Sequence, residues 1–288
     1  MKPELYKFSG AGNDFVVADG RSGGVEALRE ATEIRRLCSK YSTDGLMILG
    51  AGADGADFAM EFFNPDGSGG MMCGNGGRCI VAFADMLGIK PGHGEKYEFL
   101  APDGMHSATI LEKQADGNWT VRLKMTDVHG VQPVLDGYFT NTGTRHFVKF
   151  VADVNNLDVA TEGKALRWNE AFAPEGTNVN FVQVQSVSNS GVGEVFYERF
   201  CEENTYSAEE GNALHVRTFE KGVEGETLAC GTGITASALV SFFAGKIRST
   251  SVAVKARKDW LKVEFEPQPA PGEFKNVYLT GPATLIKI

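Results

Sequence analysis

Cys73-Gly74-Asn75-Gly76 and Cys230-Gly231-Thr232-Gly233 are two copies of one pattern, and each heads a run with the length and apolarity of a helix. The first run, Gly76–Leu87, stops at Gly88 with Pro91 beyond it; the second, Gly233–Ala244 (GITASALVSFFA), stops at Gly245. Glycine just past the last periodic residue supplies the left-handed backbone that ends a helix, and proline cannot continue one. Each half of the chain therefore carries one such helix.

Strand-like runs surround both. Phe15–Ala18, Leu46–Leu49, Phe58–Phe63, Glu98–Leu100, His106–Leu111 and Trp119–Met125 fall in the first half. Phe147–Val151, Val179–Gln185, Leu214–Phe219, Ser251–Lys255, Leu261–Phe265 and Val277–Ile288 follow. They are rich in apolar and β-branched residues and are separated by Gly, Asp and Pro. One further helix is expected over Ala27–Lys40, from the spacing of Leu28, Ile34, Leu37 and Cys38. Many strands, few helices and no regular βα alternation make an α+β fold, with curled sheets wrapped around a central helix. The order also repeats. Asn13-Asp14-Phe15-Val16 precedes the first Cys-Gly-x-Gly, and Asn178-Val179-Asn180-Phe181-Val182 precedes the second. Similarity at long period signals duplication. Two pseudo-symmetric halves facing each other would each present one cysteine to the cleft between them.

The bulk composition removes several function classes. The 288 residues suffice for two domains of ordinary size or one large one, and a formal charge of −9 opposes a nucleic-acid partner, which needs a basic face. The opening MKPELYKFSG has no apolar stretch of signal-peptide length, and no run approaches the ~20 apolar residues of a membrane helix. A cytoplasmic protein with no membrane partner is expected. Five cysteines in a chain of this length do not form a disulfide framework. A free cysteine is most often a small buried hydrophobe.

The setting of Cys73 and Cys230 points elsewhere. The first turn of a helix has unpaired N–H groups and the positive end of the dipole, and glycines let the backbone approach a ligand closely. That is a pocket for a carboxylate or phosphate, and a thiol at its lip has its thiolate favoured by the same field. One such thiol is a candidate nucleophile. Two suit inversion at an amino-acid α-carbon, where one group removes the proton and the other returns one to the opposite face. The N–H groups at the helix starts would hold the carboxylate as negative charge develops. This chemistry needs no cofactor, and no pyridoxal signature is evident. Gly231-Thr232-Gly233-Ile234-Thr235-Ala236 also fits a dinucleotide-binding turn, but residues 249–255 lack the acidic residue that reading requires. The Cys73–Cys79 spacing is not a usual metal spacing, no metal is expected, and Cys79 reads as core.

With these residues in view, the chain resembles the diaminopimelate epimerases, cofactor-independent two-cysteine enzymes. The matching segments are Gly10-Ala11-Gly12-Asn13-Asp14-Phe15, Phe63-Asn64-Pro65-Asp66-Gly67-Ser68, Met72–Cys79, Pro174–Val179, Glu226–Gly233 and Leu279–Ala283, in the family's order. The resemblance implies two similar α+β domains, 1–117 completed by a last strand at 279–288, and 118–278. It implies an isomerase converting L,L-2,6-diaminopimelate to the meso form, a small-molecule amino-acid substrate and a homodimer. It assigns Cys73 and Cys230 as catalytic, and His146 and Glu220 as groups that tune the thiols. Asn13, Asn64, Gly74, Asn75, Asn178, Glu220, Lys221, Gly231 and Thr232 fall at substrate-binding positions. On its own residues, His146 reads as a satisfied polar group at a strand end.

The chain departs from the family pattern near the site. Gly143-Thr144-Arg145-His146 stands where the family has Gly-Asn-Pro-His or Gly-Ser-Pro-His. Glu220-Lys221 replaces a Glu-Arg pair and loses the bidentate fork of arginine. Gly45 stands where some members have a side-chain amide, and an insertion near 187–211 carries Phe196, Tyr197, Phe200, Cys201 and Tyr206 among acidic residues. Thr144 and Lys221 fall where the family reads the far end of its substrate. The remaining alternatives are a racemase of another amino acid, or a protein that binds a small anion or amino acid without turning it over.

Overall fold

Alternation of apolar residues, a helix buried on every side and the hairpin turns between strands together set the architecture. A computed structural model describes residues 3–70, 72–92, 94–186 and 212–288, and the insertion near 187–211 lies outside the described residues. The chain divides into two compact units, Met1–Lys124 with Thr280–Ile288, and Met125–Leu279.

The first unit contains β1 (Leu5–Gly10), β2 (Asn13–Asp19), α1 (Ala31–Tyr41), β3 (Gly45–Ala51), β4 (Phe58–Phe63), α2 (Gly74–Met86), β5 (Lys96–Ala101), β6 (Gly104–Lys113) and β7 (Asn118–Lys124). The end of the chain's last strand (Glu273–Ile286) completes it, with Gly281 opposite Val121 and Phe8 opposite Leu285. Pairing runs from β1 through β7 and back to β1, so this sheet is a closed ring. Only β2–β3 and β4–β5 are parallel; the other pairings in the ring are antiparallel. Closure leaves no unpaired edge and an interior that side chains must fill. Every residue of α2 from Gly74 to Ala84 is buried, which a helix can be only when its sequence is apolar or internally satisfied all round. The expected boundary at 117/118 falls in front of β7, whose pairing with β6 keeps it in this unit.

The second unit contains β8 (Val128–His129), β9 (Val131–Val134), β10 (Gly137–Asn141), β11 (Arg145–Phe150), α3 (Val159–Arg167), β12 (Asn178–Ser186), β13 (Asn212–Glu220), β14 (Gly225–Thr227), α4 (Gly231–Phe243), β15 (Ser251–Lys255), β16 (Trp260–Pro267) and the first part of β17 (Glu273–Ile286). β10–β11 is antiparallel, β11–β12 parallel, β12–β13 antiparallel, β13–β15 parallel and β15–β16 antiparallel. This is the order of β1 to β6, with α1 and α3 in the first parallel crossover of each unit and α2 and α4 in the second. The duplication is thus present in the topology. α4 is buried from Gly231 to Ser241 apart from Thr232, and its interior hydroxyls are satisfied locally. Thr235, Ser237 and Ser241 each donate back to the carbonyl four residues earlier, at 2.9, 2.7 and 2.7 Å.

Three details differ from expectation. The helix expected over Ala27–Lys40 is two pieces, a 3-10 turn at Glu26–Arg29 and then α1, because Glu30 is extended (φ −74°, ψ 127°). Both Cys-Gly-x-Gly helices begin at their first glycine, two residues earlier than the apolar pattern indicated, with the cysteine itself as N-cap. Finally, the repeat pairs other residues than the lettering suggested. Asn13 begins β2, whereas Asn178 begins β12, the counterpart of β3. Phe15 stands opposite Gly45 at the start of β3 and His146 opposite Asn178 at the start of β12, so the counterpart of Asn13 is Thr144, at the end of the Thr142-Gly143-Thr144 turn into β11.

Candidate active site

In the first unit the site is built on the start of α2. Cys73 caps this helix from extended backbone (φ −105°, ψ 150°), and its sulfur accepts the Gly76 N–H at 3.3 Å. Asn75 faces inward and is almost fully buried. Its amide donates to Asn13 Oδ1 at 2.5 Å and accepts from Arg78 Nη2 at 2.9 Å. Arg78 is completely buried, and it also donates to the carbonyls of Gly74 (3.1 Å) and Pro282 (3.3 Å). A buried guanidinium is costly unless its donors are used, and here they tie the helix start to the closing strand. With the Asn75 side chain so engaged, what Gly74 and Asn75 can offer a ligand at this end is their backbone N–H groups. Asn64 lies just past β4, donating to Ser68 Oγ at 3.0 Å. Cys79 is a core residue, fully buried, and burial pushes its thiol well above the ordinary range.

In the second unit the same position carries a different network. Cys230 caps α4 and is buried, but its side chain does not accept from the N–H groups of its own helix. Its sulfur lies 3.5 Å from the Thr232 hydroxyl. Thr232 Oγ1 is 3.1 Å from Thr144 Oγ1 and 3.0 Å from His146 Nε2. The Thr232–Thr144 contact is the counterpart of Asn75–Asn13. Asn178 donates to the Arg145 carbonyl at 2.8 Å and accepts the Lys221 N–H at 2.8 Å. Its side chain thereby fixes the strand end that carries Glu220 and Lys221, with Lys221 exposed and Glu220 half-buried. Arg145, in the position of the family's proline, is held by Glu175. Among the described residues no cluster of His, Cys, Asp and Glu suits a metal ion, and no helix is long and apolar enough to cross a membrane.

His146 is fully buried, and burial pulls its imidazole down to about 3. Its ring is neutral and acts on its neighbours through hydrogen bonds. The same burial ties stability to pH. The unfolded chain's imidazole protonates near 6.5, so below that pH the unfolded state binds the extra proton. Stability from this group is complete above about pH 6.5 and falls as pH drops toward 3. Between pH 7 and pH 5 the loss should be about 2 kcal/mol. Urea unfolding should show that slope in the wild type and a flatter one in His146→Gln; equal slopes would refute the assignment.

Two participants were not singled out from sequence. Arg78 was legible only as a motif letter, and Asn180 only as part of an echo. Asn180 is fully buried and bonds His146 Nδ1 at 3.0 Å. The available signal was an asparagine between Val179 and Phe181 in an apolar strand-like run.

The fold is shared with solved proteins of low sequence identity. A phenazine biosynthesis protein of the PhzF family from Bacillus anthracis superposes with a TM-score of 0.67 at 12% identity, covering 100% of this chain and 98% of that one. A probable proline racemase from Agrobacterium radiobacter gives 0.62 at 16% identity, covering 99% and 92%. At the sequence level, the diaminopimelate epimerase model matches residues 5–129 and 138–286. Diaminopimelate epimerases of Chlorobaculum tepidum and Flavobacterium psychrophilum are 37% and 35% identical to this chain. These alignments cover 96% and 98% of this chain, and 97% and 98% of the relatives. The chain belongs to the diaminopimelate epimerase family, a family of isomerases.

Proposed function

We propose that this protein epimerises L,L-2,6-diaminopimelate to the meso form, with Cys73 and Cys230 as the acid–base pair and no cofactor. The observation that carries the reading is a cysteine at the N-cap of a buried helix in each of two units of like topology. One sulfur, as thiolate, takes the α-proton; the other, as thiol, delivers a proton to the opposite face, and the roles exchange in the reverse direction. The backbone N–H groups at Gly74, Asn75, Gly231 and Thr232 receive the α-carboxylate, whose negative charge grows as the carbanion forms. Asn13, Asn64 and Asn178 hold the substrate's amino and carboxyl groups, and Glu220 with His146 sets the thiol environment. The two compact units are the two epimerase domains, and the family supports a cytoplasmic homodimer.

The far end of the substrate is read by Thr144 and Lys221, where this chain departs from the family pattern. That favours one second reading, racemisation of another amino acid on the same scaffold. Incubation in deuterated water with L,L-diaminopimelate and with a panel of amino acids separates the two. α-Deuteration and meso product from diaminopimelate are expected. Exchange into a different amino acid alone would assign the second reading, and no exchange into any would leave a binding protein.

A further inference from the structure

The second unit holds a chain of hydrogen-bond contacts that ends on Cys230. It begins at Asn180. The Asn180 amide nitrogen lies 3.1 Å from the Phe147 carbonyl oxygen, and that oxygen can only accept. The Thr218 hydroxyl donates to the other end of the amide, Asn180 Oδ1, at 2.9 Å. The Phe147 carbonyl therefore sets the amide orientation independently of the histidine, and the Thr218 hydroxyl, which can donate or accept, fits it. The nitrogen's second hydrogen points at His146 Nδ1, 3.0 Å away, so Nδ1 accepts. In a neutral ring the proton is then on Nε2. Nε2 faces two hydroxyl oxygens, Thr144 at 2.9 Å and Thr232 at 3.0 Å. An oxygen that accepts from the imidazole has its own hydrogen left to give. For Thr232 the takers are Thr144 Oγ1 at 3.1 Å and Cys230 Sγ at 3.5 Å. When Cys230 is a thiolate, the charge-assisted bond to sulfur is the stronger one.

We infer that the Thr232 hydroxyl is the donor that stabilises the Cys230 thiolate, and that Asn180 is a positioning residue that aims it by fixing the His146 tautomer. The inference rests on Cys230 being a reacting thiol, and it explains an asymmetry between the units. Cys73 accepts a backbone N–H from its own helix, whereas the Cys230 side chain does not. In the first unit the residue equivalent to Thr232 is Asn75, whose amide is turned to Asn13 and Arg78. The second unit uses a side-chain hydroxyl where the first uses its helix backbone. Of the ionisable groups at this end of the unit, His146 is neutral, Arg145 is paired with Glu175, Glu226 with Arg217 and Arg257, and Glu220 ends β13 with Lys221 just beyond it. A change at Thr232 leaves the charge on each of these groups in place and removes one of the two hydroxyls that face His146 Nε2.

The test reads the thiol and the ring directly, so its failure is distinguishable from a failure of the epimerase reading. Alkylation of Cys230 by iodoacetamide is followed against pH by peptide mass spectrometry, in the full chain carrying Cys73→Ala. Thr232→Val, which keeps the shape and backbone N–H but not the hydroxyl, should move the alkylation midpoint up by about one pH unit, a roughly tenfold rate loss below it. Thr232→Ser should restore the wild-type profile. The ¹⁵N shifts of His146 should place the proton on Nε2 in the wild type, and Asn180→Leu should abolish that preference. A proton on Nδ1 in the wild type, an unmoved midpoint in Thr232→Val, or Thr232→Ser behaving like Thr232→Val would each overturn the inference.

Discussion

Replacing either Cys73 or Cys230 by alanine should reduce epimerisation by at least about a thousandfold, because proton removal and proton return are both obligatory for inversion. The two losses should not multiply. Once one sulfur is gone the other has no partner in the cycle, so the double variant should be little worse than either single one. Binding should behave differently. In the proposed mechanism the carboxylate is gripped by backbone N–H groups at the helix starts, and these survive a change of the cap side chain. Calorimetric titration should therefore show diaminopimelate affinity within about tenfold of wild type for both variants. Cys79→Ala is the control. Cys79 is fully buried with its thiol pushed upward, so its removal should cost some stability and little turnover. If a Cys73→Ala or Cys230→Ala enzyme kept a tenth or more of wild-type turnover, the two-thiol mechanism would be wrong.

The parts of this site that were readable in the sequence are those set by local rules. A cysteine before two spaced glycines at the head of an apolar run announces a helix start, and both starts stand where expected to within two residues. The α+β architecture of curled sheets around a helix followed from many short strands, few helices and no regular βα alternation. What was not readable depends on partners distant in the chain. Arg78 meets Pro282 across 204 positions, and Asn180 meets His146 across 34, so neither role has a local signature. The repeat was detected but aligned through the wrong asparagine. The turn Ala11-Gly12 before Asn13 and the longer turn Thr142-Gly143-Thr144 share a glycine and little else, while Asn178 shares a letter with Asn13 and not a place. Helix α3 went unread because Gly163 sits in its interior, where glycine disfavours a helix. A Cβ at that position would stand 2.4 Å from Phe219 Cβ, so packing overrode propensity.

Gly233→Ala should cost clearly more stability than Gly76→Ala, its equivalent in the first motif. The sequence suggests that the motif glycines exist to let a ligand approach, and at Gly233 the structure supplies another reason. A Cβ there would lie 2.3 Å from Asn180 Oδ1 and 3.3 Å from His146 Cε1, both fully buried. Asn180 cannot step aside, since its amide holds Phe147, His146 and Thr218 at once. The methyl must either strain the helix start or break those bonds and strand buried polar atoms, at about 2–4 kcal/mol. Gly76, the equivalent in the first unit, should be gentler: its nearest neighbours are the sulfurs of Cys73 and Met47, both at 3.3 Å, and the methionine is flexible. Urea unfolding of the two alanine variants compares them directly. Asn180→Ala added to Gly233→Ala removes the atom that clashes, so the double variant should lose clearly less than the sum of its singles. Additive losses would mean that Gly233 is glycine for the helix start alone, and that its contact with Asn180 is incidental.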